Sequence, residues 1–201
     1  LVRSSPQYQG GFIWDFVDQA LVWPSKVPGT DHILAFGGDF NDFDPSDNAF
    51  NNNGILVSDR SWHPHTYEVA YQYQNIWTSD AGAADGMIEV RNENFFRDLS
   101  NCMLLWDIEA DGVKKLSGCV TDLNVAPQQT AKVKLKYGKE ALEALEGDIN
   151  LNVKYVLKSA DGLLNAGEQI AYEQINIRQE NAEVPAAALR GRPVSFSFDG
   201  Q

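Results

Sequence analysis

A chain of 201 residues can form one large domain or two small ones, and its 43% hydrophobic and 22% charged content is that of an ordinary globular protein. The formal net charge of −12 argues against nucleic acid and anionic membranes as partners, because binding to phosphate depends on clustered lysine and arginine. No window approaches the ~18 uninterrupted apolar residues of a membrane span. A neutral substrate such as a sugar is not excluded.

The first part of the chain, up to about Gln74, is rich in aromatic residues, aspartate, asparagine and glycine. It contains a short apolar run at residues 10–17 that is flanked by glycines and does not alternate. Such a run is typical of a strand buried on both faces, as in a parallel sheet or barrel. Since no second strand–helix repeat accompanies it, we expect its neighbours to lie before Leu1 and the sequence to be cut from a longer one. Residues 67–73 are expected to form a short helix.

The acidic side chains of this first part have two interpretations. A calcium site is one reading of four aspartates, but their spacing lacks the closing glutamate of a helix–loop–helix site, so a solvated acidic loop is favoured: Asp39, Asp42, Asp44 and Asp47. Asp15 and Asp18 resemble a pair of catalytic carboxylates, yet we expect them to bond to neighbouring loops.

His63 and His65 resemble a metal-binding pair. No third nitrogen or sulfur ligand accompanies them in the sequence, because His32 is distant and lies in an irregular loop. A zinc site is therefore disfavoured.

From about Asn75 to Ile177 the sequence consists of short alternating segments separated by turns. Asp111-Gly112 is a strong hairpin signal because both residues tolerate positive φ. Turn signals at a spacing of roughly 8–12 residues predict an antiparallel, immunoglobulin-like β-sandwich. The predicted strands are 87–91, 102–109, 113–118, 132–136, 150–158 and 170–177, with a helical turn or two at 140–146.

Three further expectations concern this second part. Leu104, Trp106 and Ile108 share one strand face and should be buried together. Cys102 and Cys119 lie on either side of the predicted hairpin, so a disulfide is one alternative and two half-buried thiols the favoured one. Residues 179–201 are expected to be a linker to a following domain, with an extra strand at 194–198 as an alternative.

Four segments, in order, resemble the last part of the catalytic domain of glycoside hydrolase family 2, specifically its large bacterial β-galactosidases. They are Gly-Gly-Phe-Ile-Trp-Asp-Phe-Val-Asp-Gln at 10–19, Ala-Phe-Gly-Gly-Asp-Phe at 35–40, Asp-Asn-Ala-Phe-Asn-Asn-Asn-Gly at 47–54 and Asp-Arg-Ser-Trp-His-Pro-His at 59–65. The second part resembles the domain that follows there, through segments 111–112, 116–118 and 124–128. The resemblance covers about residues 8–178.

The fold implied by this resemblance is mainly β. Residues 1–74 would be the C-terminal part of a catalytic (β/α)8 barrel, and residues 75–178 an immunoglobulin-like antiparallel β-sandwich that serves as a structural spacer. The linker at 179–201 completes this organisation.

The activity implied is that of a retaining enzyme hydrolysing terminal β-D-galactosides. Retaining hydrolysis needs two carboxylates about 5 Å apart. In the family both are glutamates that precede the Gly-Gly-Phe strand, whereas the first glutamate here is Glu68. We therefore expect no catalytic residue in this chain and no activity from it alone. The alternative is a non-catalytic carbohydrate-binding or interaction module of immunoglobulin-like type, with Trp77 and Trp106 as candidate contacts.

The resemblance also implies a site. Trp14, on the last barrel strand at residues 11–17, would stack on galactose. The main-chain carbonyl of Phe50 and the side-chain oxygen of Asn53 would bind a sodium ion in the longer enzyme, and magnesium ligands would lie outside this chain; no cofactor is expected in the isolated piece. The expected partners are a β-galactoside, the remaining domains of the polypeptide and further copies of the enzyme, in a bacterial cytoplasm or periplasm.

Overall fold

The computed structural model describes residues 3–5, 7–44 and 48–180. The chain divides into two compact units, Leu1–Gln74 and Asn75–Gln201. Asp47, most of the predicted linker and the alternative strand at 194–198 lie outside the described residues. In the described ranges, none of the helices has both the length and the apolar character needed to cross a bilayer.

The first unit contains little regular structure. Strands β1, Leu21–Pro24, and β2, His32–Ala35, form an antiparallel pair, and short 3-10 turns follow at Gly37–Asp39 and Asn48–Asn51. Helix α1 spans Pro64–Gln72, which confirms the predicted helix and starts it earlier. Proline suits the first turn of a helix because its missing N–H is one that a helix start leaves unpaired.

The prediction of a strand buried on both faces at residues 10–17 is wrong for this structure. Of these residues only Val17 forms a β-bridge, parallel to Leu56. Phe12 is 106% exposed and Phe16 64%. A parallel strand is stabilised by neighbours on both edges. Among the described residues, only the segment that includes Leu56 runs beside this one.

The second unit is built from two antiparallel sheets. The three-stranded sheet has the order β3-β4-β7, and the four-stranded sheet the order β6-β5-β8-β9. The bounds are β3 Ile76–Asp80, β4 Met87–Asn92, β5 Cys102–Ala110, β6 Val113–Val120, β7 Thr130–Lys134, β8 Ile149–Leu157 and β9 Gln169–Arg178, with a short helix, α2, at Lys139–Glu143. The six predicted strands and the helical turn are confirmed, and β3 is additional.

The inner faces of both sheets form one hydrophobic core. Leu104 and Ile108 are fully buried and Trp106 is 5% exposed, which confirms that this strand face is buried. The β5–β6 turn has φ of 49° at Asp111 and 73° at Gly112, as the hairpin signal predicts.

The two cysteines do not form a disulfide. Cys102 pairs with Leu157 and Cys119 with Leu105, so they occupy different positions along β5 and β6 and do not oppose each other. Both are free; Cys102 is buried and Cys119 is exposed. Burial raises the pKa of the Cys102 thiol. The disulfide alternative is therefore wrong, and only one of the two thiols is accessible.

Candidate functional site

Two segments of the first unit, residues 15–19 and 51–56, run side by side and are called here the paired segments. Main-chain hydrogen bonds join them along their length. They run from Asp15 N to Asn53 O at 3.4 Å, Ile55 N to Asp15 O at 3.0 Å, Leu56 N to Phe16 O at 2.9 Å, Asp18 N to Leu56 O at 2.9 Å and Gln19 N to Asn51 O at 2.7 Å. The structure therefore places the residue after Trp14 in direct contact with Asn53.

Trp14 directly precedes the first paired segment and is 71% exposed. Its peptide bond to Asp15 is cis. The Asp15 carboxylate accepts hydrogen bonds from the Phe16 main-chain N–H and the Gln19 side chain, both in its own segment. An exposed indole offers a flat apolar face and one N–H donor, which suit a sugar ring with an apolar C–H face.

Asn53 lies in the second paired segment and Phe50 directly precedes it. Phe50 lies in the 3-10 turn Asn48–Asn51, and both residues are exposed. The Asn53 main-chain oxygen is used by Asp15, whereas its side-chain oxygen makes no hydrogen bond to any described residue. A main-chain carbonyl and a side-chain amide are hard, neutral ligands that fit an alkali cation. Two such oxygens would form only part of a coordination shell, and the rest would have to come from other groups.

The buried carboxylate of Asp18, in the first paired segment, is hydrogen-bonded to the second segment. Asp18 is 8% exposed. Its Oδ1 accepts the Gly54 main-chain N–H at 2.7 Å, and its Oδ2 accepts a hydrogen bond from His63 Nε2 at 2.8 Å. Because a carboxylate only accepts, Nε2 of His63 carries the proton. We call Asp18, Gly54 and His63 the Asp18 clamp. It confirms that Asp18 bonds to neighbouring loops.

Further side chains fix the same loop. His65 Nε2 contacts the Gly54 carbonyl at 3.0 Å, and Thr66 donates to the Ile55 carbonyl. The rings of His63 and His65 are stacked, with centroids 5.1 Å apart. Since Nε2 of each histidine is used by a protein partner, the pair serves to hold a loop. Across the described part of the chain, no three His, Cys, Asp or Glu side chains are grouped as metal ligands.

The acidic loop is exposed and bonded locally. Asp39 accepts the Phe36 N–H at 2.9 Å, and Asp44 accepts the Asn41 side-chain amide at 2.8 Å. Asp42 is exposed, and Asp47 lies outside the described residues. These contacts are those of a solvated loop that caps its own turns.

The tryptophans named for a sugar-binding sandwich do not form an open platform. Trp106 is buried, in contact with Tyr137, and the partly buried Trp77 donates its N–H to Glu93 at 2.9 Å. Of the three candidate tryptophans, only Trp14, in the first unit, is exposed.

Comparison with known proteins matches both units to parts of one enzyme family. Residues 1–78 match "Glycosyl hydrolases family 2, TIM barrel domain", and residues 88–178 match "Beta-galactosidase, domain 4". The chain therefore belongs to glycosyl hydrolase family 2.

Within that family the similar proteins are β-galactosidases. "Beta-galactosidase 2" of Enterobacter cloacae is 37% identical over 98% of this chain and 19% of its own length. The Streptococcus thermophilus enzyme is 32% identical over 93% of the chain and 17% of its own length, and that of Priestia megaterium 35% over 87% and 16%. The chain thus corresponds to less than one fifth of these β-galactosidases, across the end of the barrel domain and domain 4.

Proposed function

We propose that the longer protein containing this chain hydrolyses terminal β-D-galactosides with retention of configuration. In this proposal Trp14 stacks on the sugar, and Phe50 and Asn53 contribute two oxygens to a sodium site beside it. The sandwich acts as a structural spacer. The paired segments are the observation that supports it, because the main-chain hydrogen bond from Asp15 to Asn53 holds the residue that follows Trp14 against Asn53.

The chemistry of cleavage belongs to carboxylates outside this chain. The only glutamate in the first unit, Glu68, lies on α1 and accepts a hydrogen bond from Gln72. A bound sodium ion would supply a positive charge that orients sugar hydroxyl groups. This chain's own residues would bind and orient the sugar ring.

The proposal extends to partners and compartment. The partners are the substrate, the remaining domains of the same polypeptide and further copies of the protein. A net charge of −12 supports an aqueous compartment without nucleic acid as a ligand. The compartment proposed is a bacterial cytoplasm or periplasm.

The test compares the 201-residue chain with the full-length gene product that contains it, using a chromogenic β-galactoside. Activity is expected only in the longer protein, with the β-anomer of galactose as the first product seen by NMR. Activity of the 201-residue chain itself, or none in the longer protein, would overturn the proposal.

Two variants of the longer protein test the site residues. Trp14→Phe is expected to raise KM roughly tenfold because the indole N–H and part of the stacking area are lost. Asn53→Ala is expected to raise the sodium concentration needed for half-maximal activity. Trp23→Phe and Asn52→Ala are the matched controls, since both original residues are exposed and lie outside the proposed contacts.

A further inference from the structure

The Asp18 clamp has a role that the proposed sugar and sodium contacts do not account for. We propose that Asp18 and His63 are positioning residues that fix Gly54, and through it Asn53, in register with Trp14. The inference rests on the proposed function, since it concerns the geometry of that site. Neither residue is proposed to touch the sugar.

The first argument is that Asp18 has no freedom to act elsewhere. Its side chain is buried, and both carboxylate oxygens are used, one by Gly54 and one by His63. Its main-chain oxygen accepts a hydrogen bond from Ser58 at 2.8 Å. A buried carboxylate with a hydrogen bond on each oxygen is suited to holding neighbouring groups and not to proton transfer or nucleophilic attack.

The second argument is the close approach at Gly54. A Cβ atom on this residue would overlap the Asp18 main-chain nitrogen and lie 2.5 Å from the Val17 carbonyl carbon. Only glycine therefore allows the two segments to approach this closely. Gly54 directly follows Asn53 in the chain, so a shift of Gly54 would also move Asn53, the proposed sodium ligand.

The third argument is that the clamp ties together parts of the sequence that local structure does not connect. Asp18 reaches Gly54 across 36 residues and His63 across 45. His63 directly precedes α1, so the clamp anchors the site to the start of the unit's main helix. Loss of the carboxylate would leave a buried N–H without its acceptor, which is costly.

The experiment uses the full-length gene product with Asp18→Ala, Asp18→Asn and the control Asp31→Ala, whose original side chain is exposed. Measurements are KM and kcat for a nitrophenyl β-galactoside, the half-saturating sodium concentration, the melting temperature, and hydrogen–deuterium exchange of the peptide covering residues 50–57. Exchange reports on the clamp without reference to activity.

Asp18→Ala is expected to raise KM and the half-saturating sodium concentration by about tenfold to a hundredfold, since small misplacements of binding groups have effects of this size. Exchange in residues 50–57 should accelerate. Asp18→Asn should recover most of the loss, because its amide oxygen can accept the Gly54 N–H, and its NH2 group can donate to His63 Nε2 when the neutral ring carries its proton on Nδ1. Asp31→Ala should match the wild type.

The outcomes separate this inference from the function it rests on. A merely structural loss would lower the melting temperature and the folded fraction while leaving KM and sodium dependence unchanged, and that result would overturn the inference. The inference would also be overturned if the wild type is active and Asp18→Ala folds with unchanged KM, sodium dependence and exchange. An inactive wild type would overturn the proposed function. If Asp18→Ala does not fold, His63→Ala tests the inference in its place. This variant is expected to show a smaller rise in KM and faster exchange in residues 50–57. Wild-type values for both measurements would overturn the inference.

Discussion

A hydrogen bond between the two sheets of the sandwich offers a direct test of how the second unit is held together. The Tyr155 hydroxyl on β8 lies 2.6 Å from the Thr78 hydroxyl on β3, so the bond crosses the core. Tyr155 is fully buried, and Thr78 is 8% exposed. Removal of one hydroxyl leaves the other without this partner in a place that water reaches poorly. Tyr155→Phe is expected to lower the free energy of unfolding.

The magnitude follows from the burial of both groups. A buried hydroxyl that loses its partner costs about 1–3 kcal/mol, so Tyr155→Phe and Thr78→Val should each destabilise by about 2 kcal/mol. Removing both hydroxyls leaves no unsatisfied group. The double variant should therefore be little worse than either single variant, with a coupling free energy of at least about 1 kcal/mol.

The assay is urea unfolding of the 201-residue chain, followed by circular dichroism, for both single variants and the double variant. Thr130→Val is the control, because Thr130 is an exposed residue on β7 of the same sheet as Thr78; its effect should stay within about 0.5 kcal/mol. Strictly additive single and double variants would refute the argument, since two independent hydroxyls have no coupling.

Other consequences of the same core can be measured in the same chain. Gly118→Ala would place a Cβ 2.5 Å from Cζ2 of the buried Trp106 and should destabilise by about 1–3 kcal/mol in urea unfolding. Burial raises the pKa of Tyr137 to about 12. The unfolded tyrosine titrates near 10, so the contribution of Tyr137 to stability should be constant below that pH and fall by up to about 1.4 kcal/mol per pH unit between pH 10 and 12. Burial also raises the pKa of Tyr155, so the urea midpoint of the wild type should decrease more steeply above pH 10 than that of Tyr137→Phe. The exposed Cys119 should react with Ellman's reagent in the folded chain, and the buried Cys102 only after unfolding.

Each of these expectations has an outcome that contradicts it. Gly138→Ala is the control for Gly118→Ala, because its Cβ would meet only the flexible Glu140 carboxylate at 3.3 Å; equal effects would rule out the clash. Equal slopes of the urea midpoint for the wild type and Tyr137→Phe between pH 10 and about 11.5 would contradict the burial of Tyr137. Rapid reaction of two thiols per folded chain would contradict the burial of Cys102.

The strands of the sandwich could be predicted because short, local sequence patterns determine most of them. Alternation at β5 places Leu104, Trp106 and Ile108 on the face toward the core, and the Asp111-Gly112 turn determines where the chain reverses. Strand β3 lacked that signal. Its five residues begin with Ile76 and end in Ser79-Asp80, and they are organised by pairing with β4, not by their own pattern.

The Asp18 clamp was not predictable for a physical reason. Each of its hydrogen bonds joins residues far apart in the sequence, and neither Asp18 nor His63 stands in a local motif that requires the other. The sequence pattern supported only the weaker expectation that Asp18 bonds to neighbouring loops. The close approach of two main chains at Gly54 likewise depends on a segment 36 residues away, which no local pattern reveals.

The apolar run at residues 10–17 distinguishes contacts that this unit makes by itself from burial that depends on other strands. Its composition is that of a buried strand, yet Phe12 and Phe16 are exposed here, and full burial of one such side chain contributes about 1.5–3 kcal/mol. That stabilisation depends on neighbouring strands of a barrel. The pairing with residues 51–56, by contrast, is already made by main-chain hydrogen bonds within this unit. The proximity of Trp14 to Asn53 is thus set by the chain itself, whereas the burial of the aromatic residues around it requires the surrounding barrel.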